Sequence, residues 1–214
     1  MIFKPEKEGC IFILSPHIDD GELGCGGTIS KLISERNTIH FFVFSLAKKS
    51  ILPKFPKDIT EKELYQSMQT LKIPKDNLHL FDFDVRTFPS IRQEILEILW
   101  KFNKDFSPDM VFAPSLNDLH QDHEVVAKET LRAFKNTTIF CYEEPWNSIT
   151  FNLTALIRLE KSNIENKIAA LRCYNSQMHR PYFQEDFIWN LAKARGHLIN
   201  QNYAEAFEVM RLII

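Results

Sequence analysis

The sequence predicts an α/β fold in which a mostly parallel β-sheet is covered by helices on both faces. Three observations predict it. Short apolar runs rich in β-branched and aromatic residues recur along the chain, amphipathic stretches with helical spacing separate them, and polar clusters fall directly after two of the runs. Strands that read as near-continuous apolar runs are buried on both faces, as in parallel sheets whose crossovers are helices.

The first run is Cys10-Ile11-Phe12-Ile13-Leu14, closed by Ser15-Pro16, after which Gly21 to Thr28 opens a helix that continues with Ile29, Leu32 and Ile33 to about Arg36. Thr38 to Leu46 is a second buried strand. Lys48 to Asp58, with Pro53 and Pro56, is a loop, and Thr60-x-x-Glu63 is a capping box ahead of Leu64, Met68 and Leu71. Asn77 to Phe81 is a short third strand. Ile91, Ile95, Ile98, Leu99 and Phe102 mark a helix from Ser90 to Phe102. Asp109 to Pro114 is a fourth strand, His120 to Phe134 a fourth helix, and Thr137 to Tyr142 a fifth strand. From about Asn163 the pattern is mainly helical. The alternation gives a Rossmann-like three-layer sandwich, and with no repeat or linker visible, residues 1–214 are expected to form one domain.

Composition excludes several classes. With 44% hydrophobic and 25% charged residues and a net charge of −2, the 214-residue chain has the make-up of a globular protein and no basic field for nucleic acid. No apolar stretch is long enough for a membrane span, and the start, Met1 to Glu8, lacks the layout of a secretory signal. The four cysteines, Cys10, Cys25, Cys141 and Cys173, form no Cys-x-x-Cys pair and are expected to be reduced thiols of a cytoplasmic protein.

Chemistry concentrates in two places. His17, Asp19 and Asp20 follow the first strand. Asn117-Asp118-Leu119-His120-Gln121-Asp122-His123 follows the fourth. His17 and Asp20 are three apart, so at a helix entrance they share one side, while Asp19 points elsewhere and is free to hold a water. His120 and His123 repeat the spacing. Both clusters lie at carboxyl ends of strands, where a doubly wound sheet has its ligand crevice. Three N/O ligands with one open position are how catalytic zinc is held; a carboxylate beside it takes the proton of an attacking water and a second group protonates the leaving atom. Each residue also has a plainer explanation: a histidine after a strand can be a satisfied turn residue, paired aspartates can cap a helix, and His-x-x-His can sit on a solvated face. Joint placement at two strand ends favours the metal. Gly24, Gly26 and Gly27 let a helix pack close to a sheet; they lack the order of a dinucleotide fingerprint, and the acids before them would repel a pyrophosphate.

Pro16-His17-Ile18-Asp19-Asp20-Gly21-Glu22-Leu23-Gly24-Cys25-Gly26-Gly27 resembles the signature of the LmbE/PIG-L family of zinc-dependent N-deacetylases, and Asp118-Leu119-His120-Gln121-Asp122-His123 resembles its second motif. Lys167, Asn175-Ser176-Gln177, Arg195-Gly196 and Tyr203 to Glu208 are similar to features of bacterial members. The resemblance implies that His17, Asp20 and His123 hold the metal and that Asp19 is the general base. It implies that His120 is the cationic partner of the oxyanion or leaving amine and that Asp122 accepts a ring N–H from His120. Ile18 stands where the family has Pro, and Gly21 where it has Glu, with Glu22 one position late.

The implied reaction removes an acetyl group from an N-acetylated sugar or sugar conjugate, a small-molecule partner, with Zn2+ or another divalent first-row metal as cofactor. Arg86, Glu143, Glu144 and Trp146, near strand ends, are expected to line a sugar pocket. Trp146 suits stacking on a pyranose or packing at a rim; Arg86 and Arg180 suit a phosphate, a carboxylate or a surface ion pair; His179 is expected to be exposed. The rival readings are a non-catalytic sugar- or nucleotide-binding protein and a metallohydrolase of another amide or ester bond. Self-association through the C-terminal helices or the loop around Lys54 is left open.

Overall fold

The structure, a computed structural model, describes residues 8–213; the amino-terminal stretch considered above lies outside it except for Glu8. Chain order is β1 (Cys10–Ser15), α1 (Asp20–Ser34), β2 (Thr38–Val43), α2 (Ile59–Leu71), β3 (Leu78–Leu80), α3 (Phe88–Phe106), β4 (Met110–Pro114), α4 (Gln121–Ala133), β5 (Thr138–Tyr142), β6 (Ala155–Leu159), α5 (Lys161–Leu171), α6 (Glu185–His197) and β7 (Tyr203–Arg211). One seven-stranded sheet has the order β3-β2-β1-β4-β5-β7-β6. Strands β1 to β5 pair in parallel, and β7 runs antiparallel to both its neighbours.

Period-two alternation splits the core between the two faces. Ile11 and Ile13 of β1 join Leu64, Met68, Ile164 and Ile188 under α1, α2, α5 and α6. Phe12 and Leu14 join Ile95, Leu99 and Val126 under α3 and α4. The strand order turns at β1 and β4, so the carboxyl ends of these two strands flank the crevice of the sheet. Both motif clusters leave from there.

Three expectations need correction. From Asn163 the chain holds α5 and α6 but is not helical throughout: β7 was not expected there, nor β6 just before it, and the two extend the sheet beyond β5. The Thr60/Glu63 capping box does not form. Asp58 stands at the N-cap without a side-chain capping bond, its carboxylate paired with Lys62, and Glu63 instead accepts from the backbone N–H (2.9 Å) and the hydroxyl (2.6 Å) of Ser176. The third helix is longer than its apolar pattern, because Phe88-Pro89 starts it early and a polar turn extends it to Phe106. The cysteines are free thiols, and among the described residues no helix is long and apolar enough to cross a membrane.

The glycine run of α1 has a packing cause. A Cβ on Gly24 would sit 2.2 Å from the Tyr142 ring, whose hydroxyl donates to the Leu14 carbonyl at 2.9 Å. At Cys25 the backbone leaves helical geometry (φ −144°, ψ 25°), so α1 is two half-helices meeting at a break. A buried ion pair fills it. Lys167 Nζ donates to the Leu23 carbonyl and to Glu205, both at 2.7 Å, and Glu205 accepts from the N–H groups of Gly27 (3.0 Å) and Thr28 (2.7 Å). The lysine thus caps the end of one half-helix and the glutamate the start of the other. Glu205→Ala would leave Lys167 buried without its partner; a loss of about 3–5 kcal/mol is expected, read by denaturant unfolding, and a near-neutral result would show that the break is held by packing alone.

Candidate metal centre

Ser15, the last residue of β1, shapes the loop that follows. Its hydroxyl donates to the His17 carbonyl (2.5 Å) and accepts from the Gly21 N–H (2.9 Å), folding residues 15–21 into a tight turn before α1. The His17 N–H donates to Asp20 Oδ2 at 2.7 Å. Asp19 occupies the N-cap position, yet its side chain makes no capping bond, so its carboxylate is not used by the helix. On the other side of the crevice, α4 begins after His120, whose Nδ1 accepts from the Asp122 N–H at 3.2 Å.

Three donor atoms from the two loops converge. His17 Nδ1 lies 3.0 Å from Asp20 Oδ2 and 3.1 Å from His123 Nε2, and Asp20 Oδ2 lies 3.1 Å from His123 Nε2. Looser groupings share these residues: His17/His120/His123 and Asp20/His123/Glu144 each fall within 4.8 Å. The tight triangle is the better seat, because metal–ligand bonds of 2.0–2.1 Å at tetrahedral angles separate donors by about 3.3 Å.

Outer carboxylates set both rings. His17 Nε2 faces Asp122 Oδ2 at 3.1 Å, and His123 Nδ1 faces Asp118 Oδ2 at 2.8 Å. Each pairing puts the ring proton on the outer nitrogen, leaving two lone pairs aimed at each other across 3.1 Å. Such an arrangement is repulsive unless positive charge lies between them, so the donor set fits a divalent cation. Electrostatics agree. Burial alone lowers the His123 pKa, but Asp20, Glu144 and the Asp118 bond outweigh it and hold it well above its ordinary value. Burial likewise opposes ionisation of Asp20, and the two imidazoles overcome it, holding its carboxyl well below the carboxylate range. Asp19 goes the other way: burial, then the charge of Asp20, push it up to about 6 against the pull of Arg180. Adjacent carboxyls are thereby driven into different roles.

Residues 12–134, more than half of the chain, match the sequence profile of PIG-L, described as GlcNAc-PI de-N-acetylase. The chain belongs to the PIG-L family. No curated protein sequence matches it significantly. Among solved structures it is similar to N,N'-diacetylchitobiose deacetylase from Pyrococcus horikoshii in complex with its inhibitor MPG (TM-score 0.78, 20% identity, 94% of this chain and 84% of that one). It is also similar to the zinc-inhibited form of teicoplanin deacetylase Orf2 (TM-score 0.75, 15% identity, 92% and 96%). A third similar structure is GalB, the 4-carboxy-2-hydroxymuconate hydratase of Pseudomonas putida KT2440 (TM-score 0.78, 17% identity, 96% and 98%). At these identities the likeness establishes the fold.

The two motifs bring His17, Asp20 and His123 within 3.0–3.1 Å of one another, while two other residues stand elsewhere than their expected roles require. Asp122 does not take a ring N–H from His120: that nitrogen is 4.0 Å from its carboxylate, which instead accepts from His17 and from the N–H groups of Arg86 (2.5 Å) and Phe88 (3.2 Å). Burial and the neighbouring imidazoles lower the His120 pKa to about 4, so the ring is not held cationic. Glu144, expected at the substrate, is 1% exposed and sits behind His123, 3.6 Å from Nδ1, with Asn147 donating to it.

Of the remaining expected residues, Arg86, Trp146 and Arg180 line an open cleft of about 170 Å³ above the triangle. Arg86, exposed, holds a left-handed backbone (φ 69°) fixed by its bond to Asp122. Trp146 lines the cleft with one face stacked on Tyr182 (4.2 Å, 10°), which leaves at most its other face for a sugar. His179 is exposed, and Glu143 is tied to Arg195 away from the cleft. Sequence reasoning gave no role to Asp118, Gln177 or Tyr182. Asp118 stood inside the second motif and Gln177 inside the Asn175-Ser176-Gln177 segment, neither with a role; Tyr182 comes from the connection between α5 and α6, where no local pattern marks it. Asp118→Ala is expected to lower divalent-metal affinity about 10–100-fold, measured by titration calorimetry; unchanged affinity would mean that Glu144 alone orients His123.

Proposed function

We propose that the protein is a metal-dependent N-deacetylase that hydrolyses the acetamide of an N-acetylated sugar or sugar conjugate, giving acetate and a free amine. One observation carries the reading: two imidazole lone pairs, each ring held from behind by a carboxylate, converge with the Asp20 carboxylate beneath an open cleft beside an unspent carboxylate. His17, Asp20 and His123 are the assigned holders of the cation, and zinc is assigned first because it suits mixed imidazole and carboxylate donors. When bound, such a cation supplies Lewis-acid polarisation of the acetamide carbonyl and acidifies water.

The chain's own residues account for the proton traffic. Asp19 takes a proton from the water that attacks the carbonyl carbon. His120, its Nδ1 occupied by the Asp122 N–H, carries its one proton on Nε2 and offers it as a hydrogen bond to the developing oxyanion. Once the C–O bond has formed, Asp19 passes the proton it took from the water to the nitrogen as the C–N bond breaks, so the amine leaves neutral and the attacking oxygen stays in the acetate. Arg86 and the open face of Trp146 contact the rest of the substrate. The cleft is smaller than the roughly 300–1,000 Å³ of sites that enclose whole ligands, so it admits the reacting end and leaves any conjugate at the mouth.

The metal-loaded protein should release equimolar acetate and primary amine from at least one member of a panel of N-acetylated sugars, their phosphates and nucleotide conjugates. Because a hydratase shares the fold, the products decide: water addition to an unsaturated acid with no acetate from any acetamide would overturn the proposal. Binding without turnover across the panel would favour a non-catalytic sugar-binding protein.

A further inference from the structure

Between the ligand His17 and the base Asp19 stands Ile18, whose carbonyl turns away from the cleft into the protein. The Tyr174 hydroxyl lies 2.6 Å from this carbonyl and 2.6 Å from Glu22 Oε1, and the Ser67 hydroxyl donates to the same Glu22 oxygen at 2.6 Å. Glu22, Ser67 and Tyr174 are fully buried, and they come from α1, α2 and the turn after α5. None of them lines the cleft. A polar trio inside an apolar core is expensive to keep without a task, since every member must be desolvated and mutually satisfied. Here the other Glu22 oxygen has no partner at all.

Ser15 pins the metal loop at His17 and Gly21, and the peptide between them is held by the Tyr174 hydroxyl. Asp19 makes no capping bond, so the direction of its carboxylate follows from the orientation of that peptide. We infer that Glu22 and Tyr174 are positioning residues of the reaction: with Ser67 they form a brace that fixes the Ile18–Asp19 peptide and aims the Asp19 carboxylate at the water. The inference rests on the deacetylase reading for what Asp19 does, and on geometry alone for what the brace holds. It also gives Glu22 a place: it reaches the metal loop through a tyrosine, not directly.

Three variants test it. Tyr174→Phe keeps the ring and removes the hydroxyl; kcat is expected to fall on the order of 10- to 100-fold, as for a misplacement of about 1 Å in a reacting group, with KM within about twofold of wild type. Glu22→Ala should behave likewise, and Glu22→Gln, whose amide nitrogen in the place of Oε1 can donate to both hydroxyls and leave the Tyr174 proton for the Ile18 carbonyl, should recover most of the loss. Independently of turnover, amide hydrogen exchange of the metal-free protein should quicken about tenfold in residues 17–21 of Tyr174→Phe and stay unchanged in β1 and β4. Wild-type kcat and wild-type exchange in Tyr174→Phe would overturn the inference, as would exchange raised throughout the chain, which would make Tyr174 an ordinary core residue. Selective loosening of residues 17–21 in a protein that deacetylates nothing would uphold the brace and remove the deacetylase reading.

Discussion

Asp19→Asn is expected to keep its bound cation and lose about 10²–10⁴ of its turnover, the usual contribution of a positioned acid–base group. Asparagine has the size of aspartate and leaves the triangle of His17, Asp20 and His123 untouched, because the Asp19 side chain takes no part in it or in capping α1. What disappears is the acceptor for the water proton. Metal content, measured by elemental analysis, should match wild type, and KM should change little, so that the whole effect falls on kcat. A variant that keeps more than about a tenth of wild-type kcat would remove Asp19 from the role of base. A variant that loses its metal would place Asp19 among the ligands instead.

His123→Ala is expected to abolish both metal retention and activity. The ring is almost fully buried and supplies one of only three close donors. Its loss leaves a two-donor site and strands Asp118 and Glu144, two buried carboxyl groups that now face each other across a void. Affinity should therefore drop by more than the roughly 10–100-fold expected for an outer partner such as Asp118. Chelation separates this effect from misfolding. Wild-type protein stripped of metal should lose activity and regain it when Zn2+ is added, whereas His123→Ala should stay inactive at any tolerated Zn2+ concentration while keeping its circular dichroism. Activity that survives exhaustive chelation in wild type would refute metal dependence outright.

Much of this architecture was legible because the informative residues are consecutive. β1 to β5 announce themselves as apolar runs, and the residues that follow β1 and β4 are the ones that meet in the crevice. β7 was hidden by its own chemistry. Its two glutamates, Glu205 and Glu208, read as solvent-facing positions, yet both are buried. Glu205 caps the break in α1, and Glu208 accepts from Ser115, Asn117 and the backbone of Asn152. A strand whose carboxylates point inward has no hydrophobic alternation to detect. In the site, spacing marked the two clusters and the family resemblance singled out His17, Asp20 and His123 within them, but which carboxylate stands behind which imidazole was legible in neither. Asp122 lies two residues from His120 and reaches His17, over a hundred residues away, because the packing of the two loops decides the pairing.

The placement of β7 has a consequence for how the molecule is made. It lies between β5 and β6 and, among the described residues, is the only strand that β6 pairs with. A nascent chain on the ribosome can therefore assemble β1 to β5 as they emerge, but β6 must wait, unpaired, until some forty further residues have been synthesised. Until then the edge of β5 is open to other chains and the cleft in α1 lacks its glutamate. The sheet is closed like a zip, by the last of its described strands to arrive.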